Sequence, residues 1–203
     1  MGNTADFSFE QRLIDGGAFK VAGVDEVGRG PLAGPVTAAA VILDISAMPD
    51  GLMDSKTLSP KRRDLLSEQI WALADVSVAH ASVEEIDSIN ILQASHLAMC
   101  RAVAGLRATP DHVLIDGNLV PKALDAPATA IVKGDARSVS IAAASIVAKV
   151  VRDRIMVDLA QQHPHYGWER NAGYPTKEHR EGLKSHGVTP HHRRSFRTVH
   201  NML

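Results

Sequence analysis

Four carboxylates that follow short apolar segments constrain the fold of this 203-residue chain more than any other feature of its sequence. Apolar runs of about four to eight residues that end in polar turns are typical of buried β-strands. Acidic side chains after such runs stand where strands end, although the sequence alone does not establish that they meet. The residues concerned are Asp25, Glu26, Asp116 and Asp135.

Strands come first in this chain and alternate with helices later. Strands are predicted at residues 21–24, 36–43, 76–81, 113–116 and 128–133. Helices are predicted at residues 58–73, 82–105 with a break near Asn90, 138–162 and 177–185. This order predicts an α/β fold with a mixed sheet.

The length favours one domain with an appendage. After Pro164 the composition changes to glycine, proline, histidine and arginine. We therefore expect a main domain over residues 1–163 and a basic C-terminal extension over residues 164–203, which packs on the same domain. The boundary between the two is soft.

Composition excludes several classes of protein. The hydrophobic fraction of 45% is typical of globular proteins, and no run reaches the ~18 apolar residues of a membrane span. Residues 1–12 lack the apolar core of a secretory signal. The single cysteine, Cys100, allows neither an internal disulfide nor a cysteine-based zinc site. We expect a soluble, cytoplasmic protein with no membrane partner.

Charge is distributed unevenly along the chain. The net charge is only −1, but residues 177–197 hold six basic side chains and two acidic ones. The basic residues are Lys177, Arg180, Lys184, Arg193, Arg194 and Arg197. This asymmetry favours a polyanionic partner, with an ordinary solvated surface as the alternative.

Carboxylates at the ends of buried strands need compensation, because burial removes their hydration and neighbouring negative charges repel. Oxygen ligands without a cysteine favour Mg²⁺ or Mn²⁺ over zinc. Two such ions roughly 3.5–4 Å apart are the usual device for phosphodiester hydrolysis. The four acids are therefore candidate metal ligands. The alternative is that each one forms a turn or caps a helix.

Asp25 and Glu26 pose a geometric difficulty for a shared metal site. Neighbours on a regular strand point to opposite faces, so both side chains cannot reach one ion from an ideal strand. The glycine-rich turn at residues 28–30 would relax this restriction if the strand ended or bulged beside the two acids.

The turn Gly28-Arg29-Gly30 also offers groups that suit a phosphate backbone. Glycine permits close approach of the main chain, and Arg29 can donate to phosphate or sugar oxygens. Lys56 places an ammonium group just before a predicted helix. An ordinary turn and a polar loop are the alternatives.

On the long helix, a polar stripe of Ser145, Lys149, Arg152 and Asp153 lies opposite the apolar one. Such a stripe is usually the solvent face, and we expect Asp153 to pair with a neighbouring arginine. Tyr174, which lies between flexible residues, could stack on a sugar or base, with packing in a turn as the alternative.

Taken together, the motifs resemble the bacterial type 2 ribonucleases H, the ribonuclease HII family. They are Val24-Asp25-Glu26-Val27-Gly28-Arg29-Gly30, Asp54-Ser55-Lys56, Ile115-Asp116-Gly117, Lys133-Gly134-Asp135, Ala143-Ala144-Ser145-Ile146-Val147-Ala148-Lys149, Arg152-Asp153, Gly173-Tyr174-Pro175-Thr176 and His192-Arg193-Arg194-Ser195-Phe196. They cover residues from about 20 to 197 in the family's order and spacing. The chain departs from the family at Val27, where alanine is common, and at Ala172, where lysine often stands.

The resemblance implies a ribonuclease H-like fold, with a mixed five-stranded sheet flanked by helices and a helical C-terminal extension. It also implies hydrolysis of RNA in RNA–DNA hybrids and incision 5′ of single ribonucleotides in duplex DNA. The products would carry 3′-hydroxyl and 5′-phosphate ends. The metal would be Mn²⁺ or Mg²⁺, between which the sequence does not decide.

The resemblance further assigns roles to residues of this chain. The four acids named at the outset would bind metal and catalyse hydrolysis. The turn at residues 28–30 would read the 2′-hydroxyl at the RNA–DNA junction, and Tyr174 would stack on the following deoxyribose. Lys56, Ser145 and Lys149 would line the phosphate path.

Three other interpretations predict different behaviour. A non-catalytic nucleic-acid-binding protein with this fold would bind its partner in the presence of chelator and cut nothing. A related nuclease that acts only on long hybrids or DNA junctions would differ in its preferred substrate length. A generic phosphate-binding enzyme is disfavoured, because no Walker-type lysine follows the glycine-rich turn. We expect a monomer, and the sequence leaves any protein partner open.

Overall fold

The fold consists of five strands and seven α-helices within residues 5–203, the part of the chain that this computed structural model describes. Residues 1–4, where the predicted main domain and the segment 1–12 begin, lie outside the described residues. The elements in chain order are α1 (Ser8–Asp15), β1 (Val21–Val27), β2 (Val36–Ile42), α2 (Pro60–Leu73), β3 (Asp75–Ala81), α3 (Val83–Ala104), β4 (His112–Asp116), β5 (Ala128–Ile131), α4 (Val139–Gln162), α5 (Trp168–Asn171), α6 (Lys177–His186) and α7 (Arg197–His200).

All five strands belong to one mixed sheet with the order β3-β2-β1-β4-β5. Strands β1, β2 and β3 pair antiparallel, whereas β4 runs parallel to both β1 and β5. The predicted mixed five-stranded sheet with flanking helices and a helical C-terminal part is therefore confirmed. No helix within residues 5–203 is both long and apolar enough to cross a membrane.

The sheet is covered on both faces, as the alternation of side chains along β2 shows. Ala38 and Ala40 pack in a cluster with residues of α3, and Ala39 and Val41 pack in a second cluster with α2 and α4. All four are fully buried. Because these side chains are small, the helices lie close to the sheet on either side.

Helix α4 approaches the sheet very closely at Gly23, in the middle of β1. A Cβ atom at this position would lie 2.1 Å from the carbonyl carbon of Ser140 and 2.3 Å from the nitrogen of Ile141. Only glycine therefore lets the first turn of α4 rest directly on the central strand.

Helix α1 fixes the beginning of α4 from the other side. The buried carboxylate of Glu10 accepts hydrogen bonds from the Ser138 hydroxyl at 2.5 Å and from the Ser140 amide at 3.0 Å. Ser138 itself caps α4 by accepting from the Ile141 amide. A carboxylate at a helix N-terminus is favoured by the helix dipole, so this contact holds α4 in place.

Two local details bear on the predicted elements. The expected break near Asn90 is confirmed, because this residue has φ 67° and ψ 163° inside α3. Strand β5 was predicted to end at residue 133, but it ends at Ile131. Lys133 adopts a left-handed conformation with φ 56°, and a short 3₁₀ turn follows at Gly134–Ala136.

Residues after 163 share a core with the rest of the chain. Fully buried Trp168 lies in one cluster with Leu183 and Val199 of the C-terminal helices. The same cluster contains Leu32 from the loop after β1 and Met156 from α4. The loop between β1 and β2 is therefore packed against the C-terminal segment.

We expect Gly23→Ala to destabilise the protein by about 3 kcal/mol, because the added methyl group would overlap backbone atoms that cannot move independently. Chemical denaturation followed by circular dichroism would measure this loss. Gly16→Ala, at the end of α1 where φ is −81°, is the control and should change stability by less than about 1 kcal/mol. Equal stability of the two variants would contradict the close contact between β1 and α4.

Candidate active site

The parallel pairing of β1 and β4 brings two of the four acids together. Val24 is aligned with Ile115, so Asp25 and Asp116 are the next residues on adjacent strands. Asp25 is only 5% exposed. Because parallel strands end at the same edge of a sheet, both carboxylates reach that edge side by side.

The turn after β5 supplies the third acid. Asp116 Oδ1 accepts a hydrogen bond of 2.6 Å from the Gly134 amide, which holds the turn against the end of β4. A Cβ at Gly134 would lie 2.6 Å from Ile141 Cδ1 and 3.3 Å from Asp116 Oδ1, so a larger residue here would displace the end of the Ile141 side chain. Asp135 follows within the 3₁₀ turn and is buried.

Asp25, Asp116 and Asp135 each offer a carboxylate oxygen, and these three oxygens lie within 4.8 Å of one another. Oxygen donors at this separation fit a hard divalent cation such as Mg²⁺ or Mn²⁺. Glu26 is not part of this group of three. Its Oε1 instead accepts from Arg29 Nη1 at 3.2 Å, at the wall of a small cavity of about 230 Å³ that Asp116 also lines.

The electrostatics of the three-carboxylate group favour a bound cation. Burial, together with the charges of Glu26 and Asp116, raises the pKa of Asp25 well above its ordinary value. Burial and the charge of Asp135 raise the pKa of Asp116 as well. A divalent ion would offset both the burial of these carboxylates and their mutual repulsion, so the site favours a bound cation.

The proposed strand end or bulge beside Asp25 and Glu26 does not occur. Strand β1 continues to Val27, and its pairing with β2 is regular through Asp25, Glu26 and Val27. The two side chains therefore point to opposite faces, as an unbroken strand requires. This geometry explains why Asp25 joins the group of three and Glu26 pairs with Arg29.

Lys56 lies at the same edge of the sheet. Its Nζ is 3.2 Å from Asp135 Oδ2 and 3.8 Å from Asp54 Oδ1, while 75% of the side chain stays exposed. Ser145 is buried instead, and its hydroxyl is 2.9 Å from that of Ser55. The predicted loop residue Lys56 and the helical Ser145 thus both lie close to the acids.

The polar stripe predicted as the solvent face of α4 is largely inside the protein. Arg152 is fully buried, and Ser145 is nearly so, because α4 is covered by the sheet, by α2 and by residues after 163. Asp153 forms ion pairs, as expected, and the neighbouring arginine comes from α2. It accepts from Lys149 Nζ at 2.6 Å and lies 4.0 Å from Arg63 of α2.

The loop Gly28–Pro35 stands beside the acids, and Tyr174 lies against it. Gly28 has φ 95° and is buried, whereas Arg29 and Gly30 are exposed. A Cβ at Gly30 would lie 3.2 Å from Tyr174 Cε1, so the glycine lets the ring approach the main chain. The structure therefore brings the predicted glycine-rich turn and Tyr174 together on one surface.

Arg193 corrects the interpretation of the basic C-terminal segment. It is fully buried and donates to the carbonyl oxygens of Gly28 at 2.6 Å and Arg29 at 3.1 Å. The prediction that residues 177–197 present their basic side chains to solvent or to a polyanion is therefore wrong for this residue. No sequence signal distinguished Arg193 from exposed Arg194.

A comparison with family models matches residues 22–199 to Ribonuclease HII. The chain belongs to the ribonuclease HII family. The ribonuclease HII of Ruegeria pomeroyi is 67% identical over 198 residues, which cover 98% of this chain and 85% of that protein. The ribonuclease HII of Paracoccus denitrificans is 66% identical over 201 residues, covering 99% and 96%.

Solved structures of related proteins share the fold. The ribonuclease H2 of Pyrococcus horikoshii matches with a TM-score of 0.76 and 31% identity, over 91% of this chain and 97% of that one. The ribonuclease HII of Archaeoglobus fulgidus, solved in complex with PCNA, matches with a TM-score of 0.74 and 29% identity, over 86% and 94%. The resemblance drawn from the motifs is confirmed, and the chain is a metal-dependent endoribonuclease of the ribonuclease H type.

We expect Asp116→Asn to unfold at a temperature roughly 2–4 °C higher than the wild type in chelator, because one of the repelling charges is removed. Mn²⁺ should raise the unfolding temperature of the wild type more than that of the variant, since an ion bound to the native state adds stability. Thermal unfolding followed by circular dichroism measures both shifts.

Asp158→Asn, an exposed change on α4, is the matched control and should respond to Mn²⁺ as the wild type does. A full Mn²⁺ shift in Asp116→Asn would exclude Asp116 as a ligand.

Proposed function

We propose that this protein hydrolyses the RNA strand of RNA–DNA hybrids and incises duplex DNA on the 5′ side of single ribonucleotides, leaving 3′-hydroxyl and 5′-phosphate ends. The observation that carries the proposal is the gathering of Asp25, Asp116 and Asp135 at one sheet edge, within 4.8 Å, beside an exposed glycine-rich turn. Family membership supports the hybrid as the substrate.

The three aspartates would hold divalent metal, with Glu26 completing the set of ligands from the neighbouring cavity. Two Mg²⁺ or Mn²⁺ ions, when bound there, would lower the pKa of the attacking water and stabilise the charge on the leaving oxygen. Lys56, through its bond to Asp135, would hold that carboxylate in its orientation. Burial of Asp25 would keep its carboxylate fixed and exclude competing water.

Recognition of the ribonucleotide would take place at the turn Gly28-Arg29-Gly30. The 2′-hydroxyl is the group that distinguishes RNA from DNA, and an exposed main chain can bind it without contacting a base. Tyr174, which lies against Gly30 and is 43% exposed, would stack on the adjacent deoxyribose. Little dependence on base sequence is therefore expected.

The phosphate path would run along exposed Lys56 and the ammonium of Lys149, which Asp153 already orients. Ser145, which is buried against Ser55, would support this path from beneath. A monomeric state and a cytoplasmic location remain predictions from the sequence.

We expect Asp25→Asn to lower the rate of strand cleavage roughly a thousandfold or more, because a metal ligand is lost while the side chain keeps its shape. Binding to the duplex should change little. The substrate is a labelled DNA duplex with one ribonucleotide, incubated with Mg²⁺, Mn²⁺ or chelator beside an all-DNA duplex.

Metal-dependent cutting by the wild type on the 5′ side of the ribonucleotide, and of no other bond, is the expected result. Binding without cutting would favour the non-catalytic interpretation, and cutting of long hybrids alone would favour the restricted nuclease. Asp158→Asn serves as the control. Wild-type turnover in Asp25→Asn would remove this residue from the metal site.

We expect Arg29→Ala to reduce incision at a single ribonucleotide roughly tenfold, because a charge-assisted hydrogen bond to the substrate backbone is lost. Single-turnover kinetics with saturating enzyme would isolate this effect from weaker binding. An unchanged rate together with unchanged affinity would mean that the turn has a structural role only.

A further inference from the structure

Two buried guanidinium groups lie behind the loop Gly28–Pro35, on the side away from solvent. Arg152 comes from α4 and Arg193 from the segment before α7, and both side chains are fully buried. Within residues 5–203 neither forms a salt bridge with a carboxylate. Their hydrogen bonds go to main-chain carbonyl oxygens instead.

Arg193 holds the two ends of the loop together. Its Nη2 donates to Gly28 O at 2.6 Å and to Gly34 O at 2.8 Å, and its Nη1 donates to Arg29 O at 3.1 Å. Its Nε also donates to Gly34 O, at 2.9 Å. One rigid, planar group therefore fixes the carbonyls of the first two residues of the turn and of Gly34, six residues after Gly28.

Arg152 closes the loop from the helix side. It donates to Ala33 O at 3.1 Å and to Pro35 O at 3.0 Å. A Cβ at Gly28 would lie 2.2 Å from Arg152 Nε, so this glycine is needed for the fit as well as for its positive φ. The conformation of the turn is thus determined jointly by Gly28 and the two arginines.

The segment that carries Arg193 is itself well fixed. The Arg193 amide donates to Leu32 O at 2.8 Å. On its exposed side, Asp87 of α3 accepts from the amides of Arg194 and Ser195, both at 2.9 Å. Arg193 therefore cannot move away without breaking contacts on both sides.

Packing alone does not explain two buried cations at this place. Burying an ionised group is costly, and well-packed apolar residues of similar volume usually stabilise a protein as well or better. Burial and the neighbouring charge of Arg152 lower the pKa of Arg193 to about 9, which reflects this cost. A guanidinium supplies several directional hydrogen-bond donors, which can orient several carbonyl groups at once. An apolar side chain has no such donors.

We propose that Arg193 is a positioning residue for ribonucleotide recognition, which holds the turn Gly28-Arg29-Gly30 in the conformation that binds the 2′-hydroxyl. The inference rests on the proposed function of that turn. Arg193 acts through the main chain and does not touch the substrate. Its loss should therefore reduce discrimination between a ribonucleotide and a deoxyribonucleotide more than it reduces binding to duplex DNA.

The test is Arg193→Lys, which keeps a positive charge and the aliphatic stem but replaces the planar fork by a single nitrogen. Affinities for a duplex with one ribonucleotide and for the matching all-DNA duplex are measured in chelator, so that no cleavage occurs. We expect the ratio of the two affinities to fall about tenfold, while affinity for all-DNA duplex stays the same. Incision at the ribonucleotide should slow in parallel.

Val199→Ala is the matched control, since Val199 is fully buried in the same C-terminal segment and its apolar side chain donates no hydrogen bond to the turn carbonyls. It should lower the unfolding temperature and leave the affinity ratio unchanged. A folded Arg193→Lys variant with the wild-type ratio would overturn the inference. The wild-type protein tests the proposed function separately. If that function is correct, the wild type must incise at the ribonucleotide and must bind the ribonucleotide-containing duplex more tightly than all-DNA duplex, whatever the role of Arg193.

If Arg193→Lys does not fold, the Asp87→Ala variant tests the inference instead. This change at a half-buried side chain frees the amides of Arg194 and Ser195 and loosens the segment that carries Arg193. The removed negative charge affects both duplexes alike and cancels in the ratio. A fall in the affinity ratio supports the inference, and an unchanged ratio in a folded Asp87→Ala protein overturns it.

Discussion

The contact between α4 and β1 at Gly23 is the constraint on which the rest of the molecule depends. Because no side chain separates them, the first turn of α4 lies on the central strand, two residues before Asp25. This contact fixes how far α4 lies from the sheet, and with it the position of Ser145, whose hydroxyl is hydrogen-bonded to that of Ser55. It also fixes the position of the 3₁₀ turn that precedes α4. The distance between Asp135 and the acids of β1 and β4 is a consequence of backbone packing.

That packing forces like charges together at a largely buried site, where water screens them poorly. A chain selected only for stability would avoid this arrangement, since burial and the neighbouring carboxylates raise the pKa of Asp25 and of Asp116. Sites of this kind are characteristic of metal-dependent enzymes, in which the unfavourable state of the protein alone becomes favourable when cations bind. The rigid scaffold of small residues on β2 and α4 maintains the arrangement.

Much of the site could be predicted because the signals for it lie in short, contiguous stretches of the sequence. Apolar segments followed by acids indicate strand ends, and the motif around Gly28 is contiguous in the sequence. The conformation of the turn could not be predicted, because it depends on Arg193, which lies more than 150 residues away from Gly28 in the chain. The burial of Arg152 was missed for a related reason. Helical periodicity identifies a polar face but does not reveal that a later segment covers it.

The hydrogen bonds of Arg193 can form only late in the synthesis of the chain. The three aspartates and all five strands are encoded before residue 136, so a growing chain holds every part of the acidic group early. The guanidinium that joins Gly28 to Gly34 comes much later, at residue 193. A ribosome-bound chain therefore acquires its carboxylates well before it acquires the group that shapes its glycine-rich turn.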